Sequence, residues 1–152
     1  MIENYKEVLK KVYDLAKVRS NEYFKGSNDI EFINLLYVED DYNDTSGLLQ
    51  YLQSLDEEAI KVIQSVMYMG REHETETEDE YNIRMLHIHD YPNDKIAPPP
   101  LTSDDPEELL QKWIHNTSAG ARWHGLNIEI NQIYEKMPLD IYLERAFSIL
   151  GI

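Results

Sequence analysis

The sequence predicts an all-α, single-domain bundle of about six to seven short helices. Three observations predict it. Apolar residues recur three and four positions apart through most of the chain, the period of a helix with one buried stripe. Helix-start signals recur as well, an Asp, Ser or Thr followed within three residues by an acid. Strand evidence is thin, and its best alternation, Arg84-Met85-Leu86-His87-Ile88-His89, also suits the end of a helix. With 152 residues and 42% hydrophobic content, the chain fits one domain able to bury a core without disulfides.

The first helix carries Ile2, Tyr5, Val8, Leu9, Val12, Leu15 and Ala16 on one stripe, with Lys10, Lys11 and Lys17 mostly off it. Gly26, Ser27 and Asn28 break the chain. A short helix is expected from Asp29 to about Val38, and Glu39 to Asn43 reads as a polar loop. Thr45 is the expected cap of a helix carrying Leu48, Leu49 and Leu52. Ser54-Leu55-Asp56-Glu57 has capping-box spacing, and Ile60, Ile63, Val66, Met67 and Met69 follow it. Gly70 is the expected stop. Thr77-Glu78-Asp79-Glu80 is a second box, predicting a helix to about His89. Pro92, Pro98, Pro99 and Pro100 make residues 91–105 a stiff surface connector.

Asp105-Pro106-Glu107-Glu108 joins a capping Asp, a Pro at the first helical position and two acids at the positive end of the dipole. The helix it starts carries Leu109, Leu110, Trp113 and Ile114, with a break expected at Thr117 to Gly120. A further helix is expected to carry Trp123, Leu126, Ile130 and Ile133. Pro138 opens the last one, with Ile141, Tyr142, Leu143, Ala146, Phe147 and Leu150, and Gly151 closes it.

Charge is distributed unevenly. Residues 29–80 hold fifteen Asp and Glu against Lys61 and Arg71, a net −13 out of −15 for the chain. Single-sign charge in one region steers oppositely charged partners and repels nucleic acid. With a pI near 4.6, neither nucleic acid nor an anionic membrane is an expected partner, because phosphate recognition relies on Lys and Arg. There are no cysteines, which removes disulfides, thiolate metal sites and thiol catalysis together. The first residues form an amphipathic pattern without a signal peptide's apolar run, so a cytoplasmic location is expected.

Candidate chemistry is sparse. His87 and His89 share a face only if extended, and zinc would need a third ligand from elsewhere. Glu72, Glu76 and Glu80 with His73 would align on a helix as di-iron ligands do, but no apolar stripe buries them, and a solvated acidic face is the simpler reading. The run Glu39 to Asp44 lacks the Gly and Glu of a calcium loop. No nucleophile elbow, phosphate loop or dinucleotide fingerprint occurs. No cofactor is expected and no catalytic residue is assigned. Trp113 with His115, and Trp123 with His124, read as core and rim of a helical hairpin, or as the lining of a ligand pocket.

The segment Tyr51 to Arg71, YLQSLDEEAIKVIQSVMYMGR, resembles the central motif of an uncharacterised bacterial domain-of-unknown-function family. In that family an acidic Asp-Glu helix start leads into an apolar helix ending in a Trp-Leu-Gly-Arg-like tail, here Tyr68-Met69-Gly70-Arg71. Met137 to Phe147 is similar to the family's closing Pro-Leu start and Tyr-Leu-Glu helix. The acidic stretch after Arg71 departs from the pattern, where a Gly usually follows. The resemblance implies an all-helical fold, and the family brings no assigned activity with it.

These readings point to a binding role rather than a reaction. The expectation is an acidic cytoplasmic protein that neutralises a basic protein partner, in its sharpest form an immunity protein covering the cationic site of a bacterial nuclease-type toxin. The expected contact residues are Glu39, Asp40, Asp41, Asp44, Glu72, Glu74, Glu76, Asp79 and Glu80, with Tyr42 and Tyr81 as aromatic anchors. The alternatives are a metal-binding enzyme or regulator using His87 and His89, and a structural module acting as a homodimer. Acidity that serves only solubility is the plainest competing explanation.

Overall fold

A computed structural model describes residues 1–23, 44–72, 105–118 and 123–152, and within them the chain is all-α. Six helices occur among the described residues: α1 (Ile2–Tyr23), α2 (Leu48–Gln53), α3 (Glu57–Glu72), α4 (Pro106–Ser118), α5 (Leu126–Tyr134) and α6 (Leu139–Leu150). The helices expected from Asp29 to Val38 and from Thr77 to His89 lie outside the described residues, as does the Pro-rich connector up to Asp104. Among the described residues no helix is long and apolar enough to cross a membrane.

Local chemistry sets several helix ends. Asp105 Oδ1 accepts the Glu107 N–H at 3.0 Å, and α4 begins at Pro106 as expected. Gly151 closes α6 at φ +73°, and the Ile152 N–H reaches back to the Phe147 carbonyl at 2.9 Å. That left-handed turn suits glycine, which has no Cβ to clash.

Two starts differ from expectation. Before α2, Asp44 Oδ1 accepts the Ser46 N–H at 2.9 Å and Ser46 Oγ accepts the Leu48 N–H at 3.2 Å. The chain then turns at Gly47 with φ +81°, so the entry is built from Asp44, Ser46 and Gly47 rather than Thr45. Before α3, Ser54 Oγ donates to the Tyr51 carbonyl and finishes α2. Asp56 is the cap of α3, its Oδ1 accepting the Ala59 N–H at 2.9 Å. Both residues can cap; Ser54 is already committed to the preceding turn.

Helix α3 is the centre of the bundle. It packs most extensively on α6, then on α4, α5 and α1; α1 also rests on α6 and α2. Ten of its sixteen residues are buried, among them Ile60, Ile63, Val66, Met67 and Met69. Around it lie Leu9, Val12 and Ala16 of α1, Leu48 and Leu52 of α2, Leu110 and Trp113 of α4, Ile130 and Ile133 of α5, and Leu143 and Ala146 of α6. Each fully buried large aliphatic side chain contributes about 1.5–3 kcal/mol of transfer free energy.

Gly70 does not stop α3, which continues to Glu72. A Cβ at Gly70 would lie 1.8 Å from the Tyr142 carbonyl oxygen. The glycine is there so that α3 and α6 can approach backbone to backbone.

One buried cation ties α1 to the far side of the bundle. Arg19 is fully buried and donates to the carbonyls of Tyr134 (2.5 Å) and Lys136 (2.7 Å), where α5 ends. Its guanidinium lies 4.9 Å from the Tyr134 ring centroid. The Tyr134 hydroxyl donates to Asp44 Oδ2 at 2.7 Å. Arg19, Tyr134 and Asp44 thus connect α1, α5 and the entry to α2. Burial pushes the Tyr134 phenol up to about 12, and the Asp44 carboxylate adds to that push.

Candidate functional site

A cavity of about 330 Å³ lies among α3, α4, α5 and the residues leading into α5. Helical spacing builds one wall: Gln64, Tyr68 and Arg71 recur at four and three, so they share a face of α3. Trp113, Asn116 and Thr117 line it from α4, and Glu129 and Gln132 from α5, with His124 just upstream. Thr117 fixes the seam between two of these walls. Its hydroxyl lies 2.7 Å from that of Ser65, and Ser65 reaches the Lys61 carbonyl at 2.7 Å.

One end of the lining is polar. Glu129 is 1% exposed, a costly place for a carboxylate unless hydrogen bonds replace water. The replacements are present. Gly125, at φ +112°, turns the chain into α5. That turn brings both the His124 N–H and His124 Nδ1 to 3.0 Å from Glu129 Oε1, and the Gln64 side-chain amide donates to Glu129 Oε2. The Gln64 Oε1 accepts no hydrogen bond among the described residues, although the side chain is 2% exposed.

The outer end carries charge. The Arg71 guanidinium stacks over the Tyr68 ring, 4.5 Å from its centroid, and pairs with Glu72 at 3.3 Å. Burial raises the Tyr68 phenol despite the opposing Arg71 charge. A buried acceptor with a carboxylate behind it at one end, and a guanidinium at the other, give the cavity two-ended polarity suited to recognition.

Of the expected contact residues, Asp44 and Glu72 fall within the described residues. Asp44 is half-buried and turned toward Ser46 and Tyr134. Burial pushes its carboxyl up, but the hydrogen bonds from Ser46 and Tyr134 and the Arg19 charge outweigh that and hold it below the usual carboxylate range. Glu72 pairs with Arg71 at the edge of the cavity. Glu39, Asp40, Asp41, Tyr42, Glu74, Glu76, Asp79, Glu80 and Tyr81 lie outside the described residues, as do His87 and His89. Among the described residues no group of three or more His, Asp or Glu is placed to hold a metal ion.

The tryptophan and histidine pairs separate. Trp113 is buried on α4 and lines the cavity, whereas His115 is exposed. Trp123 precedes α5 instead of lying on it, with the Lys61 ammonium 5.1 Å from its ring centroid. Sequence reasoning singled out Trp113, His124 and Arg71 but not Gln64 or Glu129. Gln64 falls among buried α3 positions, one residue after Ile63 and four after Ile60. Glu129 stands three residues after Leu126 and one before Ile130. A polar residue on an otherwise apolar stripe was the available signal.

Compared with protein-family models, with curated proteins and with solved structures, the chain matches none of them.

Proposed function

We propose that this protein is an acidic binding protein that neutralises a basic protein partner, acting as an immunity protein over the cationic site of a nuclease-type toxin. The observation that carries this reading is the net −13 of residues 29–80. Within that region the two basic side chains are engaged locally. Lys61 sits between Glu57 and Glu58 at 3.2 and 3.8 Å, and Arg71 pairs with Glu72. Asp56, Glu57 and Glu58 are exposed at the start of α3. A field of one sign speeds encounter with a cationic surface and disfavours anionic competitors.

The test is capture of partners at low and high salt, followed by reconstitution. One basic, stoichiometric partner, lost at high salt and inhibited by an equimolar amount of this protein, supports the reading. The triple substitution Glu76→Lys, Asp79→Lys and Glu80→Lys then slows association and weakens its salt dependence. Unchanged association kinetics would remove this acidic stretch from the contact surface, and the absence of any salt-sensitive partner would refute the neutralising role. Metal analysis and sedimentation discriminate the alternatives, a metal site at His87 and His89 and a helical homodimer.

A further inference from the structure

The cavity among α3, α4 and α5 carries an inference independent of the acidic surface. Its central observation is the orientation of the Gln64 amide. A carboxylate only accepts hydrogen bonds, so Glu129 Oε2 requires the amide nitrogen to face it. Rotating the amide would set two acceptors against each other. The Gln64 Oε1 is therefore the amide's other arm, in a residue that borders the cavity, 2% exposed and receiving no hydrogen bond among the described residues. Buried acceptors in folded proteins nearly always find a donor. The missing group is an N–H or O–H donor, and the nearby Glu129 carboxylate favours a cationic N–H over a neutral one.

The other end asks for the opposite charge. Arg71 stands seven residues beyond Gln64 on the same face, about 10 Å further along the helix axis. The guanidinium lies over the Tyr68 ring, and Glu72 engages one nitrogen, Nη2. A guanidinium has five N–H donors in a fixed fork, which leaves capacity for a carboxylate. Between the ends, Tyr68 and Trp113 supply aromatic surface to cover methylene groups. The volume, about 330 Å³, lies at the lower end of small-molecule sites.

We propose that this cavity binds a small ω-amino acid, a molecule whose ammonium donates to Gln64 Oε1 and whose carboxylate meets Arg71. An α-amino acid fits this arrangement poorly, because its two charges are adjacent while Gln64 and Arg71 stem from positions two helical turns apart, with the Tyr68 ring between them.

The test uses the full chain and three probes of matched length: 6-aminohexanoate, hexylamine and hexanoate, followed by ¹H–¹⁵N NMR. The expected result is saturable shifts of the Gln64 side-chain amide and the Trp113 indole with 6-aminohexanoate, at an affinity at least about tenfold above either one-ended probe. Gln64→Met weakens 6-aminohexanoate and hexylamine but leaves hexanoate unchanged. Arg71→Gln weakens 6-aminohexanoate and hexanoate but leaves hexylamine unchanged. The comparison of probes on the unaltered protein stands even if Gln64→Met fails to fold. No saturable shift up to roughly 10 mM would overturn the proposal and leave water as the partner of Gln64 Oε1. Equal affinity for all three probes would overturn it as well.

Discussion

Substituting Gly70 by Ala separates two opposing effects in one measurement. The new Cβ would lie 1.8 Å from the Tyr142 oxygen, 2.6 Å from its carbonyl carbon and 3.0 Å from its Cα. All three are backbone atoms of α6, so no rotamer change relieves the clash. Ordinary contact begins at 3.4 Å, which requires α3 and α6 to part by roughly 1.5 Å; a gap of 0.5–1 Å already forfeits a quarter to a half of a contact's dispersion energy. This is the most extensive helix interface among the described residues. Overpacking costs about 1–3 kcal/mol and sometimes more, and backbone against backbone belongs at the top of that range. Helix propensity acts in the other direction, favouring Ala by about 1 kcal/mol. The expected net loss is about 2 kcal/mol, or a fall in Tm of roughly 4–8 °C for a chain of this size. Urea unfolding followed by circular dichroism measures it, with an unchanged m-value confirming that the native state has lost stability. If Gly70→Ala unfolds at the same or a higher urea concentration than the parent, the close approach of α3 and α6 is refuted.

Three further outcomes follow from buried polar groups. Arg19→Met removes both donors to the Tyr134 and Lys136 carbonyls and is expected to cost about 3 kcal/mol by the same urea assay. Asp44 and Asp140 should respond to pH with opposite sign. The Asp44 carboxyl is held below its ordinary range, so it stabilises the fold above the unfolded-state value and that contribution fades as pH falls through the folded value. Asp44→Asn should therefore destabilise at pH 7 and flatten the acid limb of the stability curve. Burial raises the Asp140 carboxyl, against backbone hydrogen bonds and the Lys17 and Arg19 charges, so its effect on stability worsens as pH rises from the unfolded to the folded value. Asp140→Asn should be neutral or stabilising at pH 7, and a clear loss there would refute burial as the dominant influence on that group.

Sequence made the helices legible wherever a local device defines them. Asp105 and Pro106 start α4 through a side-chain cap and a preset φ, both independent of the rest of the fold. Gly151 ends α6 for an equally local reason. Ser54 and Asp56 show the limit: two capping residues two apart compete for one helix start, and which is engaged elsewhere is decided by the neighbouring turn. Gly70 shows another, because a glycine signals either a helix end or a close approach, and only the position of α6 distinguishes them. The cavity was harder to foresee. Trp113 and His124 were visible as residues that could line a pocket, but Gln64 and Glu129 meet from positions 65 apart in sequence, a tertiary pairing that periodicity does not encode. Arg19 could have been noticed as the residue that continues the Val12 and Ala16 stripe.

The central position of α3 has a kinetic consequence. A helix enclosed by α1, α4, α5 and α6 cannot open its amides by fraying one neighbour, since the other three still cover it. Solvent exchange at Ile60 to Gly70 should therefore proceed through global unfolding, making these protons the slowest among the described helices and a direct gauge of the whole protein's free energy. The chain runs from this least yielding segment straight into the Glu74 to Glu80 acids. A partner pulling on that stretch would be pulling against the stability of the entire bundle.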